Sequence, residues 1–172
     1  LVNLLRRANE LSTKGFVLPG SKAFQFFLKH QISDANFDSE TLKTFAKLDD
    51  YDILSAIKDW ISHEDEILSS LSRMLINREL LKIEISQSPM SDKEFEQLKV
   101  LKQKELGLSS EALSYFVFKD SIQNQAYDSS KSKINIYFKN GEIADITEAS
   151  DQLNLQALTK PVVKYFVCYP KK

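Results

Sequence analysis

Two histidines, His30 and His63, and a single cysteine, Cys168, are the chain's whole supply of the residue types that most often carry metal or nucleophilic chemistry. His63 is followed directly by Glu64 and Asp65, so an imidazole and two carboxylates stand in one short run of the kind that divalent metals accept as donors. At the start of a helix such a cluster is more often an N-terminal turn whose acids complement the macrodipole, and that is the expectation for 63–65. His30, alone near the end of a helical pattern, is expected to be structural or solvent-facing. Asp49, Asp50 and Asp52 supply oxygens at alternating positions, as a calcium or magnesium loop does, but the glycine and the twelve-residue spacing of that loop are missing. Asp49 or Asp50 is better read as the N-cap of a helix carrying Ile53, Ile57 and Trp60, with Trp60 as a packing anchor. Cys168 has no second cysteine to pair with and no neighbouring histidine to activate it, which fits a reducing, cytoplasmic setting.

The elements that must position these residues follow from a chain of 172 residues, 42% hydrophobic and 27% charged, with four glycines, four prolines and a net charge of −1. That composition buries enough apolar surface to fold into one or two small cores and offers no global field toward nucleic acid or anionic lipid. The longest apolar runs are a few residues, too short to cross a bilayer, and Asn3, Arg6 and Arg7 interrupt any resemblance to a signal peptide. The chain opens on Leu1 inside a helical pattern, so upstream sequence is expected to have been removed.

Apolar positions recur at three and four through the first eighty residues, predicting five amphipathic helices marked by Leu1 to Leu11, Ala23 to Phe27, Leu42 to Ala46, Ile53 to Ile61 and Ile67 to Leu75. Beyond Leu80 the period shortens to two. A strand is expected over 80–85, and Ser91 with Glu94 forms a capping box for a helix that Gly107 ends. Further strands are expected over 115–118, 134–138 and 143–146, the last two joined at Asn140-Gly141, a strong hairpin signal. A final helix over 148–158 stops before Pro161, and a strand follows over 162–167. The predicted class is α+β: a helical region at 1–79, then a ferredoxin-like (split βαβ) antiparallel layer at 80–172. Tyr115, Phe116, Phe118, Tyr137 and Phe138 read as core and cross-strand pairs rather than a base-stacking sheet, because no Lys/Arg-Gly-Phe motif accompanies them.

Three stretches carry a resemblance: Leu48-Asp49-Asp50-Tyr51-Asp52-Ile53; Ile57-Lys58-Asp59-Trp60 followed by His63, Asp65, Ile67 and Leu68; and Leu75-Ile76-Asn77-Arg78-Glu79-Leu80-Leu81-Lys82. In this order and spacing they resemble the region that follows the catalytic core in bacterial HD-superfamily phosphohydrolases, the group that includes deoxynucleoside triphosphate triphosphohydrolases. Leu1 to Ala8 is similar to the helix just after the family's HD core, and Tyr165-Phe166 with Pro170 to its usual ending. The resemblance is strongest over 48–82 and weakest over 89–133. It implies a parent enzyme in which a histidine, an adjacent His-Asp dyad and a distant aspartate hold one or two divalent metal ions that activate water. This chain does not supply that set, since the residue beside His63 is Glu64, so it is expected to have no catalytic or metal residue of its own.

The resemblance also implies a role for Arg78 and Lys82. In a related mammalian triphosphohydrolase the matching Arg, Leu, aromatic, Lys motif serves an allosteric nucleotide site between subunits; here Leu81 replaces the aromatic, which puts base stacking in doubt. An arginine fork with a lysine four residues on suits a triphosphate. The competing reading has Arg78 and Lys82 satisfy terminal carbonyls and pair with Glu79 or Glu84. The expected partners are the HD core of the same protein, further copies of the chain and a dNTP or GTP effector, with neither membrane nor specific nucleic acid. The alternative is an oligomerisation or protein-binding module with no nucleotide role.

Overall fold

The apolar stripe Leu4, Ala8 and Leu11 makes one face of α1 (Val2–Thr13) a core face, and it meets the stripes of α2 (Lys22–Lys29), α4 (Asp50–Trp60) and α5 (Glu66–Ile76) in a cluster centred on Phe24, Leu28, Ala56, Ile57, Trp60 and Leu68. In the computed structural model, which describes residues 1–124, 133–149 and 162–171, the chain divides into two compact units. The first takes in Leu1–Leu81, Leu106–Phe116 and Pro170–Lys172, and the second Lys82–Glu105 and Val117–Tyr169. Trp60 is wholly buried, stacks on Phe24 with ring centroids 5.7 Å apart, and donates its indole N–H to the Pro19 carbonyl at 2.9 Å. It is the packing anchor the sequence suggested, with its polar edge satisfied as a buried indole requires.

Capping residues set the helix starts. Ser21 caps α2, and Asp38 caps α3 (Ser39–Phe45). Asp49 caps α4 in a full capping box, accepting the Tyr51 and Asp52 amides while the Asp52 side chain accepts the Asp49 amide, so of the two residues expected as N-cap it is Asp49 that serves. Helix α5 lies between two clusters: Leu68 faces the first, and Ile67 a second built with Ala112, Tyr115 and Phe116.

The second unit begins with β1 (Lys82–Ser86) and α6 (Asp92–Leu106). At the start of α6, Ser91 Oγ accepts the Glu94 amide at 3.3 Å and Glu94 accepts the Ser91 amide at 3.0 Å; at its end stands Gly107 with φ +63°, both as predicted. Residues 115–116, expected to open a strand, instead end a helix, α7 (Ser110–Phe116), and β2 runs over Phe118–Asn124. Ser109 accepts the Ala112 amide at 3.1 Å, and Ala112, Leu113, Tyr115 and Phe116 are buried while Glu111 and Ser114 are exposed. That is a helical period which the aromatic, β-prone composition of the run concealed.

The α+β class holds, with helices first and an antiparallel sheet after. Its three strands stand in the order β1-β5-β2, with β5 (Val162–Tyr169) antiparallel to both neighbours, Cys168 facing Ile83 on one side and Phe118 on the other. Strands β1 and β2 therefore run parallel with a helical connection and β5 split them, which is the split βαβ arrangement. The hairpin β3 (Asn135–Tyr137) and β4 (Ile143–Asp145) turns at Asn140-Gly141 as predicted, but it pairs with itself rather than extending this sheet among the described residues. Tyr137 and Phe138 are exposed there, not core. Helix α8 (Ile146–Ala149) includes the first two residues of the helix expected over 148–158; residues 150–158 lie outside the described residues. No helix among the described residues is long and apolar enough to cross a membrane.

Candidate functional site

Arg78 stands just beyond α5, where its amide reaches the Leu75 carbonyl at 3.3 Å and the Glu79 amide reaches the Met74 carbonyl at 2.8 Å. This pair of bonds is the Schellman closure, which places the residue after the C-cap in the left-handed region. Arg78 has φ +59°, the one positive value at a non-glycine position among the described residues. Its side chain is exposed and enters no ion pair among the described residues. The backbone there favours glycine, so the arginine is held against a local cost.

Lys82 opens β1 in the second unit. Its ammonium pairs with Glu84 at 2.7 Å and lies 5.3 Å from the centre of the Tyr169 ring, whose hydroxyl donates to Glu84. The hydrogen bond to Glu84, helped by the one to Tyr169, raises the Lys82 pKa, and the same pair lowers that of Glu84. A phosphate arriving at Lys82 would meet an ammonium whose nearest charge is a carboxylate. Arg78, by contrast, offers an uncommitted fork.

The His63 run is organised for a different task. His63 Nδ1 lies 3.0 Å from the Asp65 amide, and Asp65 caps α5 by accepting the Leu68 amide at 2.8 Å. Both Asp65 oxygens also take the Arg7 guanidinium, Oδ1 from Nε at 3.1 Å and Oδ2 from Nη2 at 2.6 Å. Arg7 further contacts Glu111 at 2.5 Å and Glu10 at 3.5 Å, and Glu10 accepts the Tyr115 hydroxyl. Burial alone would push the Asp65 carboxyl up; the bonds from Arg7 and the Leu68 amide, with the Arg7 charge, outweigh it and hold the carboxyl below its ordinary range. The Arg7 pKa is raised, first by its bond to Asp65. Both Asp65 oxygens are thus engaged, Oδ1 by Arg7 and the Leu68 amide and Oδ2 by Arg7, in holding an arginine and a helix start. No group of three or more His, Cys, Asp or Glu residues among the described ones is placed to hold a metal ion, so these residues do not fit the metal cage of an HD core. His30 is exposed at the end of α2 with its ring 4.5 Å from that of Phe26.

The Arg7 network escaped the sequence reading, although a signal was present. Arg7 falls three residues after Leu4 and four before Leu11, inside the apolar stripe of α1, and a charge on a core face must find a partner. Which carboxylates it would find was not legible. The second unit also has a cleft of about 400 Å³ between the 86–90 turn and the sheet, bordered by Ser86, Met90, Lys119, Tyr165 and Phe166. Lys119 is committed there to Asp92 at 2.7 Å and to the Met90 carbonyl at 2.9 Å, so the cleft presents mainly apolar and aromatic wall.

Over 99% of its length the chain superposes on part of a phosphohydrolase of known crystal structure from Bacteroides thetaiotaomicron VPI-5482, with a TM-score of 0.77 and 38% sequence identity. It is also 28% identical, over 87% of its length, to the uncharacterized protein YwfO of Bacillus subtilis (strain 168). The chain spans 43% of the phosphohydrolase and 34% of the Bacillus protein. No family model matches the chain. A phosphohydrolase is thus its structural neighbour, similar across nearly the whole of this sequence and more than twice its length.

Proposed function

We propose that this chain is the non-catalytic C-terminal portion of a metal-dependent phosphohydrolase of the HD type, acting on deoxynucleoside triphosphates in the cytoplasm. On this reading its helices complete the wall of an HD core, its sheet unit makes contacts between copies, and Arg78 and Lys82 take part in nucleotide regulation. The observation that carries the proposal is the match of almost the entire chain to 43% of a phosphohydrolase, while Asp65, one of the two acids of its His-Glu-Asp run, is engaged by Arg7 and a helix cap. Hydrolysis then belongs to residues outside this sequence, where a bound metal ion would supply the activated water.

The test compares the 172-residue chain with a longer parent chain that includes the expected core. A ligand that binds only the folded state raises the melting temperature. The parent chain should melt higher with dGTP or GTP, and Arg78→Ala should abolish the shift; no shift in either protein supports the alternative, a module for assembly alone. Phosphatase assays of the 172-residue chain with manganese should find equal background rates in the native protein and in His63→Ala. Turnover that is lost with His63 would overturn the non-catalytic reading.

A further inference from the structure

Strand β1 stands at one edge of the sheet β1-β5-β2 and pairs among the described strands only with β5. All five of its residues are exposed, Ile83 at 52% and Ile85 at 57%. Edges of this kind are usually guarded by proline, a bulge or charged side chains; β1 has no proline or bulge, and its two charges, Lys82 and Glu84, are of opposite sign and lie on the face away from Ile83 and Ile85. The opposite edge does have a charge on the apolar face: Asp120 of β2 faces Phe166 across the ladder, so it sets a carboxylate on the same face as Ile83, Ile85 and Phe118. On the other face of β1, Lys82 and Glu84 flank Ile83 and are both held by Tyr169.

From this edge we infer that the second copy of the chain is the partner of β1: two β1 strands pair antiparallel about a two-fold axis at Ile83, joining two three-stranded sheets into one. The inference rests on the assembly role proposed above and names the surface. Charge selects the register. With the axis at Ile83, Lys82 of each copy stands opposite Glu84 of the other, and Ile83 opposes itself on the apolar face. An axis at Glu84 would set the two Glu84 side chains against each other, and like charges directly opposite are unfavourable. An axis between residues would put isoleucine opposite the charged face and break the continuity of both faces. An isologous contact of this kind closes on itself as a dimer, leaving no further β1 edge open.

The test reads the mass of the 172-residue chain by light scattering and uses two exposed substitutions. The native chain should be dimeric. Lys82→Glu and Glu84→Lys should each weaken self-association roughly tenfold, because each sets like charges across the edge at both symmetric positions. Mixing the two variants should restore a dimer of native affinity, since every cross-edge pair then has opposite signs although the Lys82–Glu84 pair within each chain remains broken. Ile83→Lys should give monomer. If the mixture stays monomeric, or the single variants associate as tightly as the native chain, the β1 edge is not the interface while assembly by another surface stands. A monomeric native chain would overturn this edge and the assembly role together.

Discussion

Arg7 is a buried cation answered by three carboxylates, one of them gripped through two parallel bonds. Removing one member of a buried pair leaves the other desolvated and unpaired, which costs more than the pair itself contributes. Arg7→Ala should therefore lower stability by about 3 kcal/mol in urea unfolding, whereas Lys at this position should recover only part of the loss because it cannot bond both Asp65 oxygens. The Asp65 carboxyl is held below its unfolded value of 3.8, so its stabilisation is present above that value and is lost as pH falls through the lower folded value. The gap in urea midpoint between the native chain and Asp65→Asn should be flat from neutral pH to about pH 5 and shrink below pH 4. Arg78 supplies a prediction of opposite sign. Glycine at this left-handed position should raise stability by about 0.5–1 kcal/mol while removing the guanidinium; if nucleotide regulation depends on Arg78, the stabler variant loses the nucleotide shift.

Helix ends were the most legible elements, because a cap is a contact within four residues of sequence. The N-cap at Asp49, the capping box at Ser91–Glu94, the stop at Gly107 and the turn at Asn140-Gly141 all stand where local chemistry placed them, while the reciprocal bond from Asp52 that completes a box at Asp49 is seen only in the structure. Asp49→Ala removes the acceptor for two α4 amides and should cost about 1 kcal/mol, read as a lower thermal midpoint with native far-ultraviolet dichroism retained. The run 115–118 was misread because aromatic residues suit a strand and a buried helix alike over so few positions. Burial decided between them: Tyr115 and Phe116 join Ile67 and Ala112 in a cluster that short-range pattern cannot reveal.

At the scale of the molecule, the first unit is not continuous in sequence, since Leu106–Phe116 returns to it after α6. A fragment of residues 1–81 would lack α7, and with it Ala112, Tyr115 and Phe116 from the second cluster and Glu111 from Arg7. Each large apolar side chain left exposed costs roughly 1.5–3 kcal/mol, so that fragment should melt well below the 172-residue chain and with a broader transition. The candidate residues sort along the same line. Lys82 was expected to pair with Glu84 or to face a phosphate, and it does pair with Glu84; that Tyr169 braces both came only from the register of β5 against β1.

What the sequence determined by itself was the order of helices and strands apart from α7 and the placing of β2, most of their caps and turns, the α+β class and the lack of a His, His-Asp, Asp set, since periodicity, capping and residue type act within one element. Tertiary structure alone decided that β5, and not the hairpin, is the strand between β1 and β2, that α7 belongs with the first helices, and that Arg7 meets Asp65 and Glu111, 58 and 104 residues away. Such pairings are chosen by which long loops the whole fold closes, and no local pattern records that choice.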